Sequence, residues 1–308
     1  MANEQSTRDS ISLHATRSEK VFNVCNVILM LIIGFVTLYP FWYCVVVSFN
    51  EGLDATVAPL FFWPRKWSLE NFEFILTNKR TLSGFGVSVA RTVIGTITHV
   101  LFTGVVAYGL SKRWIMGRKI YMLIFTFTMY FGGGMIPVYL NIQRLGLIDN
   151  FLVYIIPGLF SVYDSILIMS YYDSIPGALE EAALIDGAGH LKIFLKIIIP
   201  ASMPIFATIA LFNGVGQWNA YMDTVIYTRS DSLITLQAIM TKMINSAEAL
   251  QELNEQMAAN GAVDGFQTIK PITVRMATMI FTVLPITLVY PFLQKYFVKG
   301  IMIGSVKG

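Results

Sequence analysis

Few residues in this sequence could do chemistry, and most of them sit where polarity is costly. Arg91, His99, Asp164, Asn213, Gln217 and Asn219 all fall inside long apolar runs. In such runs a polar side chain tends to face a bundle interior or a water path. Asn213 and Gln217 are one helical turn apart and share a face, with Asn219 about half a turn away. Amides beside Trp and Tyr rings suit a sugar, whose faces stack on rings and whose hydroxyls pair with amides. The same amides also serve interhelical hydrogen bonding, and both readings stand. Arg91 either lines a path and attracts an anion, or snorkels to the outer interface or joins a structural pair; the second is favoured. His99 reads as a satisfied packing residue, and Asp164 as a hydrogen-bond partner or a cavity-lining group. Gly132-Gly133-Gly134 reads more as a close-packing site than as a helix break.

Catalysis finds no constellation. His14, His99 and His190 lie in different segments, and no metal-ligand spacing exists. Cys25 and Cys44 belong to one apolar run. On a helix they are roughly 28 Å apart at ~1.5 Å per residue, too far to bridge. No glycine-rich loop with Lys-Ser/Thr is present to hold ATP, so no cofactor is expected in this chain. A net charge of +3 without a basic run gives no argument for nucleic acid.

The elements that carry these residues follow from composition. Of 308 residues, 55% are hydrophobic and 13% charged. Soluble chains carry about a quarter charged residues. An all-α integral membrane protein is expected, with six transmembrane helices at about 22–49, 84–110, 120–140, 151–172, 205–226 and 274–292. A polar tail, 1–20, precedes a single transmembrane domain, 21–308, without an internal repeat. Lys112, Arg113, Arg118 and Lys119 crowd one short loop, which the positive-inside rule makes cytoplasmic. Both termini and segment 173–204 then lie inside, and segments 50–83 and 229–271 outside. Within the first external segment Ser68 reads as the N-cap of an interfacial helix; within the second, Asn245 with Glu248 reads as a capping box opening a helix that ends at Asn260-Gly261.

Segment 173–204 does not read as a slack loop. Pro176 and Gly177 start a helix whose first turn carries Glu180 and Glu181, where a helix N-terminus favours negative charge. Gly187 and Gly189 break it, and a second short helix, about 190–198, precedes Pro200. The result is a helix-turn-helix elbow suited to a partner's groove.

Glu181-Ala182-Ala183, Gly187, Ile197 and Ile199-Pro200 resemble the EAA coupling loop of ABC importer permeases, with Ile199 where leucine is usual. Asp186-Gly187-Ala188, Pro204, the Pro64, Trp67-Ser68-Leu69, Asn71-Phe72 set, GMIPVYL (134–140), LGLID (145–149) and the segment 290–308 resemble the sugar-importer branch, associated with complex oligosaccharides or polysaccharide fragments. The likeness runs from about residue 22 to the end. It implies a bacterial inner-membrane subunit that catalyses nothing itself. Glu180, Glu181, Ala182, Ala183, Asp186, Gly187, Ala188 and Pro200 would couple it to an ATPase pair that holds ATP and Mg. Glu181 would meet a basic residue of the ATPase, and Gly187 would allow the turn. Arg91, Tyr139, Asn213, Gln217 and Asn219 become candidate pathway-lining residues. A second homologous permease subunit, a periplasmic or extracellular solute-binding protein and a saccharide complete the implied partners. An acidic polysaccharide such as alginate is one guess at the cargo, and the main sugar contacts can lie in the partner permease. The reading from another class is an ion-gradient-driven secondary transporter, which expects several intramembrane carboxylates and inverted repeats; only Asp164 lies deep in a span.

Overall fold

Charge-free stretches become rods, and glycine and proline decide which rods stay straight. The computed structural model describes residues 17–112, 114–245, 255 and 269–304, with side chains described as far as 291. Every regular element among them is helical; one antiparallel bridge, Asn50 to Trp67, is the exception.

Three helices are each long and apolar enough to cross a membrane: α1 (Arg17–Ser48), α4 (Lys79–Ser111) and the first part of α14 (Pro271–Gly304). The second starts five residues before the expected boundary because Asn78 caps it: its side chain accepts from Arg80 N (3.0 Å) and Thr81 N (3.3 Å). Between α1 and α4 lie α2 (Gly52–Val57) and α3 (Glu70–Thr77).

The three remaining spans are broken. α5 (Arg118–Tyr130) and α6 (Met135–Arg144) meet at 116°, which corrects the expectation of one continuous span over 120–140. Gly134 stands at φ 85°, ψ 172°, a conformation essentially confined to glycine, so the triple glycine is a break and not a packing surface. Two 3₁₀ turns, Phe151–Tyr154 and Ile156–Gly158, lead at 50° into α7 (Val162–Tyr172). The fifth expected span, 205–226, divides into α11 (Met203–Asn219) and α12 (Met222–Tyr227), parted by Ala220 and Tyr221.

Segment 173–204 forms α8 (Ala178–Ile185), α9 (His190–Ile193), one π turn over Phe194–Ile198, and α10 (Ile199–Ala201); this run meets α11 at 78°. α13 (Leu236–Asn245) follows a 3₁₀ turn, Asp231–Leu233. Asn245 belongs to that helix; the rest of the expected capping box and its helix to Asn260 lies outside the described residues.

α4 is the central rod, flanked by α7, α11 and α13, while α14 packs on α1 and α11. The membrane-crossing part of α1 is bare, and burial begins only near its end at Val46 and Val47. There Asn71 is a hub: its Nδ2 donates to Ser48 O and Asn50 O (both 2.9 Å), and its Oδ1 accepts from Thr273 Oγ1 (2.7 Å). This hub, with Phe74 and Ile75 buried against Val274 and Ala277, sets α3 on α14, so the expected interfacial helix is a packed one. Its N-cap is Leu69, one residue after the expected Ser68, whose Oγ accepts from Glu70 N at 3.2 Å.

Candidate functional site

The breaks in three spans open one cavity of about 480 Å³, lined by Arg91, Tyr154, Asp164, Asn213, Gln217, Asp223 and neighbouring apolar groups. Arg91 projects from α4 and is 2% exposed. It does not snorkel. Asp223, in the first turn of α12, accepts from Nη1 (3.1 Å) and Nη2 (2.5 Å). Gln217 Oε1 accepts from Nε (3.2 Å) and Nη2 (2.9 Å), and Ala220 O from Nη1 (3.1 Å). The guanidinium carbon lies 4.4 Å from the centre of the Tyr154 ring. A desolvated guanidinium costs several kcal/mol unless paired and hydrogen-bonded, and here both conditions are met. The cation also closes the gap between α11 and α12, since Ala220 O is a helix-end carbonyl that seeks a donor.

Gln217 fits because α4 has a glycine opposite it: a Cβ at Gly95 would come within 2.9 Å of Gln217 Nε2. That nitrogen donates to Tyr154 O at 3.3 Å. Asn213 lines the same cavity, and its Oδ1 has no hydrogen-bond partner among the described residues. The two amides therefore share a face as their spacing requires. Asn219 is exposed away from the cavity, and Trp218 is buried, donating to Thr282 O at 3.0 Å, so its ring is a packing group. Tyr139 stands at the rim, stacked 6.0 Å from Tyr227, a lining residue. His99 is satisfied, as expected: Nδ1 donates to Gly158 O (2.7 Å) and Nε2 meets Asp164 Oδ2 (3.0 Å). Asp164 unites its two readings, hydrogen-bond partner and lining group.

The elbow has its own local logic. Ala188 N donates to Ala183 O (2.9 Å) and Gly187 N to Leu184 O (3.0 Å), the paired bonds of a Schellman motif. That motif needs a left-handed residue just past the helix, and Gly187 has φ 76°. Ala183 and Ala188, its two hydrophobic partners, both pack on the core beneath. The Glu-Ala-Ala to glycine spacing is thus the spacing of a helix stop. Glu180 and Glu181 differ in orientation: Glu180 pairs with Lys112, which caps the far end of α4, whereas Glu181 is exposed. Asp186 caps α8, and Asp186, Pro200, Ile185 and Leu191 are exposed. Pro200 does not stop the second helix at 198. The π turn before it lets Ile199 N reach Phe194 O, and the helix continues to Ala201. Ile193, Phe194 and Ile198 bury that helix against Tyr108, Ile168, Tyr172 and Ile209, joining the elbow to α4, α7 and α11.

On the opposite side of the cavity, Asp149 staples two connections. Its carboxylate accepts from Arg229 N (2.9 Å), Ser230 N (2.8 Å) and Ser230 Oγ (2.5 Å), and it sits at φ 56°. The Ser230 hydroxyl and amide, then the Arg229 amide, hold its pKa down to about 2. This clasp, invisible in the sequence, gives LGLID a structural reason.

Residues 19–303 match the family described as "Binding-protein-dependent transport system inner membrane component". Protein LplC of Bacillus subtilis is 35% identical over 96% of this chain and 98% of its own. The polygalacturonan/rhamnogalacturonan transport system permease protein YtcP, also of Bacillus subtilis, is 35% identical over 91% of this chain and 98% of its own. Among solved structures, a chain of a bacterial ABC transporter involved in the import of the acidic polysaccharide alginate superposes with a TM-score of 0.84 at 32% identity, covering 92% of this chain and 98% of that one. Family match, identity and fold agree over nearly the whole length, and the chain belongs to the inner membrane components of binding-protein-dependent transport systems.

Proposed function

We propose that this chain forms one wall of the translocation pathway of a saccharide importer and takes up motion from a partner ATPase pair through its elbow. One observation carries the coupling role. The elbow is rigid and bonded to its own bundle on one side, by Glu180 and the buried Phe194, while Glu181, Ile185 and Leu191 are left outward. An exposed acid beside two exposed aliphatic side chains suits a groove with a basic rim. The cytoplasmic placement draws on one end of the molecule: the Glu180–Lys112 pair brings the elbow to the loop that holds the crowded basic residues.

The mechanism follows from connectivity. Closing of the ATPase pair displaces α8 and α9. Their packing on α4, α7 and α11 makes them carry the bundle along as a body, and those helices hold the cavity between them. A second permease supplies the facing wall, and a solute-binding protein presents the cargo at the face held by the Asp149 clasp. The saccharide assignment draws on what YtcP and the alginate transporter are named for, together with a cavity of amides and carboxylates. The ion-gradient alternative has no observation in its favour.

The test is co-purification followed by transport. An ATPase subunit should come down with this chain, and the assembled complex should take up an oligosaccharide with ATP hydrolysis. Glu181→Ala should weaken the ATPase association while membrane insertion continues. A complex that transports at full rate with Glu181→Ala and Gly187→Ala together would remove the coupling role.

A further inference from the structure

The charges around the cavity cancel, and the way they cancel restricts what can bind. A guanidinium has five N–H donors. In Arg91 all five are engaged, by Gln217, Ala220 and Asp223. Tyr154 covers one of its faces, and its side chain is 2% exposed. No part of this cation is left for a ligand.

The second pair also sums to zero. Gly158 O accepts only, so His99 Nδ1 carries a proton. A further proton must lie between Nε2 and Asp164 Oδ2. Whichever atom holds it, imidazole and carboxyl together are neutral. What the wall shows is therefore oxygen: the Asp223 and Asp164 side chains are 24% and 19% exposed. Among the described lining residues, no Lys and no Arg other than Arg91 occurs.

We infer that this wall receives the uncharged, hydroxyl-bearing face of a saccharide and offers no free cation to a carboxylate. The inference rests on the saccharide reading above and narrows it. Hydroxyl donors match carboxylate and amide oxygens, while a uronate carboxylate would face the Asp223 and Asp164 carboxyl groups with no unpaired cation to offset them. A uronate chain crossing this cavity must turn its charges toward the second permease.

The experiment uses the complete importer in proteoliposomes: both permeases, the ATPase pair and the binding protein. The probes are an oligogalacturonide and its methyl ester, the same sugar with and without charge. The readout is the ratio of acid to ester uptake, compared between wild type and variant so that the binding protein's own preference divides out. Asp223→Asn leaves Arg91 uncompensated and raises the ratio about fivefold, the effect of one unit charge across ~4 Å of water. Gln217→Glu places a second carboxylate on the same guanidinium and lowers the ratio by a similar factor. If either variant fails to assemble, the other decides. An unchanged ratio in the variants that assemble overturns the inference and leaves the saccharide reading intact. Uptake of neither probe, nor of any sugar in a neutral oligosaccharide panel, removes that reading and the inference with it.

Discussion

Gly187→Ala is the substitution whose cost can be worked out most cleanly. A Cβ at Gly187 would meet no atom within 4 Å, so steric contact contributes nothing. Only the backbone objects: φ is 76°, where an L side chain costs about 1–2 kcal/mol. That is too little to unfold a bundle held by buried side chains on several helices. It is enough to shift the turn's conformational equilibrium by roughly 5- to 30-fold, since about 1.4 kcal/mol is tenfold. Asparagine tolerates the left-handed region better, so Gly187→Asn should be the milder change. The assay is reconstitution with the ATPase pair, reading sugar uptake per ATP hydrolysed beside the amount of inserted subunit. Coupling should fall in Gly187→Ala, recover in large part in Gly187→Asn, and insertion should match wild type in both. Equal coupling in all three would refute the reasoning, because the turn would then tolerate a strained residue at no functional cost. Loss of insertion in Gly187→Ala would also refute it, by showing that the turn is needed for folding.

Three further outcomes are expected. Glu180→Lys should loosen the elbow from α4, and Lys112→Glu added to it should restore part of the loss, roughly 1–3 kcal/mol in a double-mutant cycle read from thermal unfolding of the complex. Asp223→Ala leaves the buried Arg91 without its anion and should destabilise by about 3–5 kcal/mol, visible as a lowered denaturation midpoint, whereas Asp223→Asn keeps one acceptor oxygen and costs less. The Asp149 carboxyl has a pKa depressed to about 2, so its contribution is present above the ordinary carboxylate range and is lost as pH falls through about 2; the protection of the Arg229 and Ser230 amides from hydrogen exchange, relative to the unstructured rate at each pH, should hold down through the ordinary carboxylate range and fall only near pH 2, and Asp149→Asn should lower it at every pH.

The elbow was legible because its signal is local. A helix of fixed length, an acid in its first turn and a glycine at its stop are all set within a dozen residues. The broken spans were not legible. Hydropathy reports only that 120–140 is apolar, and is blind to the dihedrals of Gly134 that bend the pair by 116°. Arg91 was recognised as costly, but its partner lies 132 residues away across a bend. A signal existed: a buried guanidinium demands an anion, and Asp223 lies at the end of the one span that also carries Gln217. In the sequence Asn71 is only part of a family-like pattern. Its physical role, donating to two carbonyls and accepting from Thr273, depends on three segments meeting.

The bend at Gly132–Gly134 also acts as a compass. Among the described residues, the N–H groups of these three glycines donate to no backbone carbonyl. Hydrocarbon cannot solvate bare peptide groups, so that flank must be turned from the acyl chains toward water or another polypeptide. The bare sides of α1 carry no such restriction and can sit in lipid indefinitely. One stretch of main chain, with no side chain to mutate away, thus dictates how the subunit is rotated within its assembly.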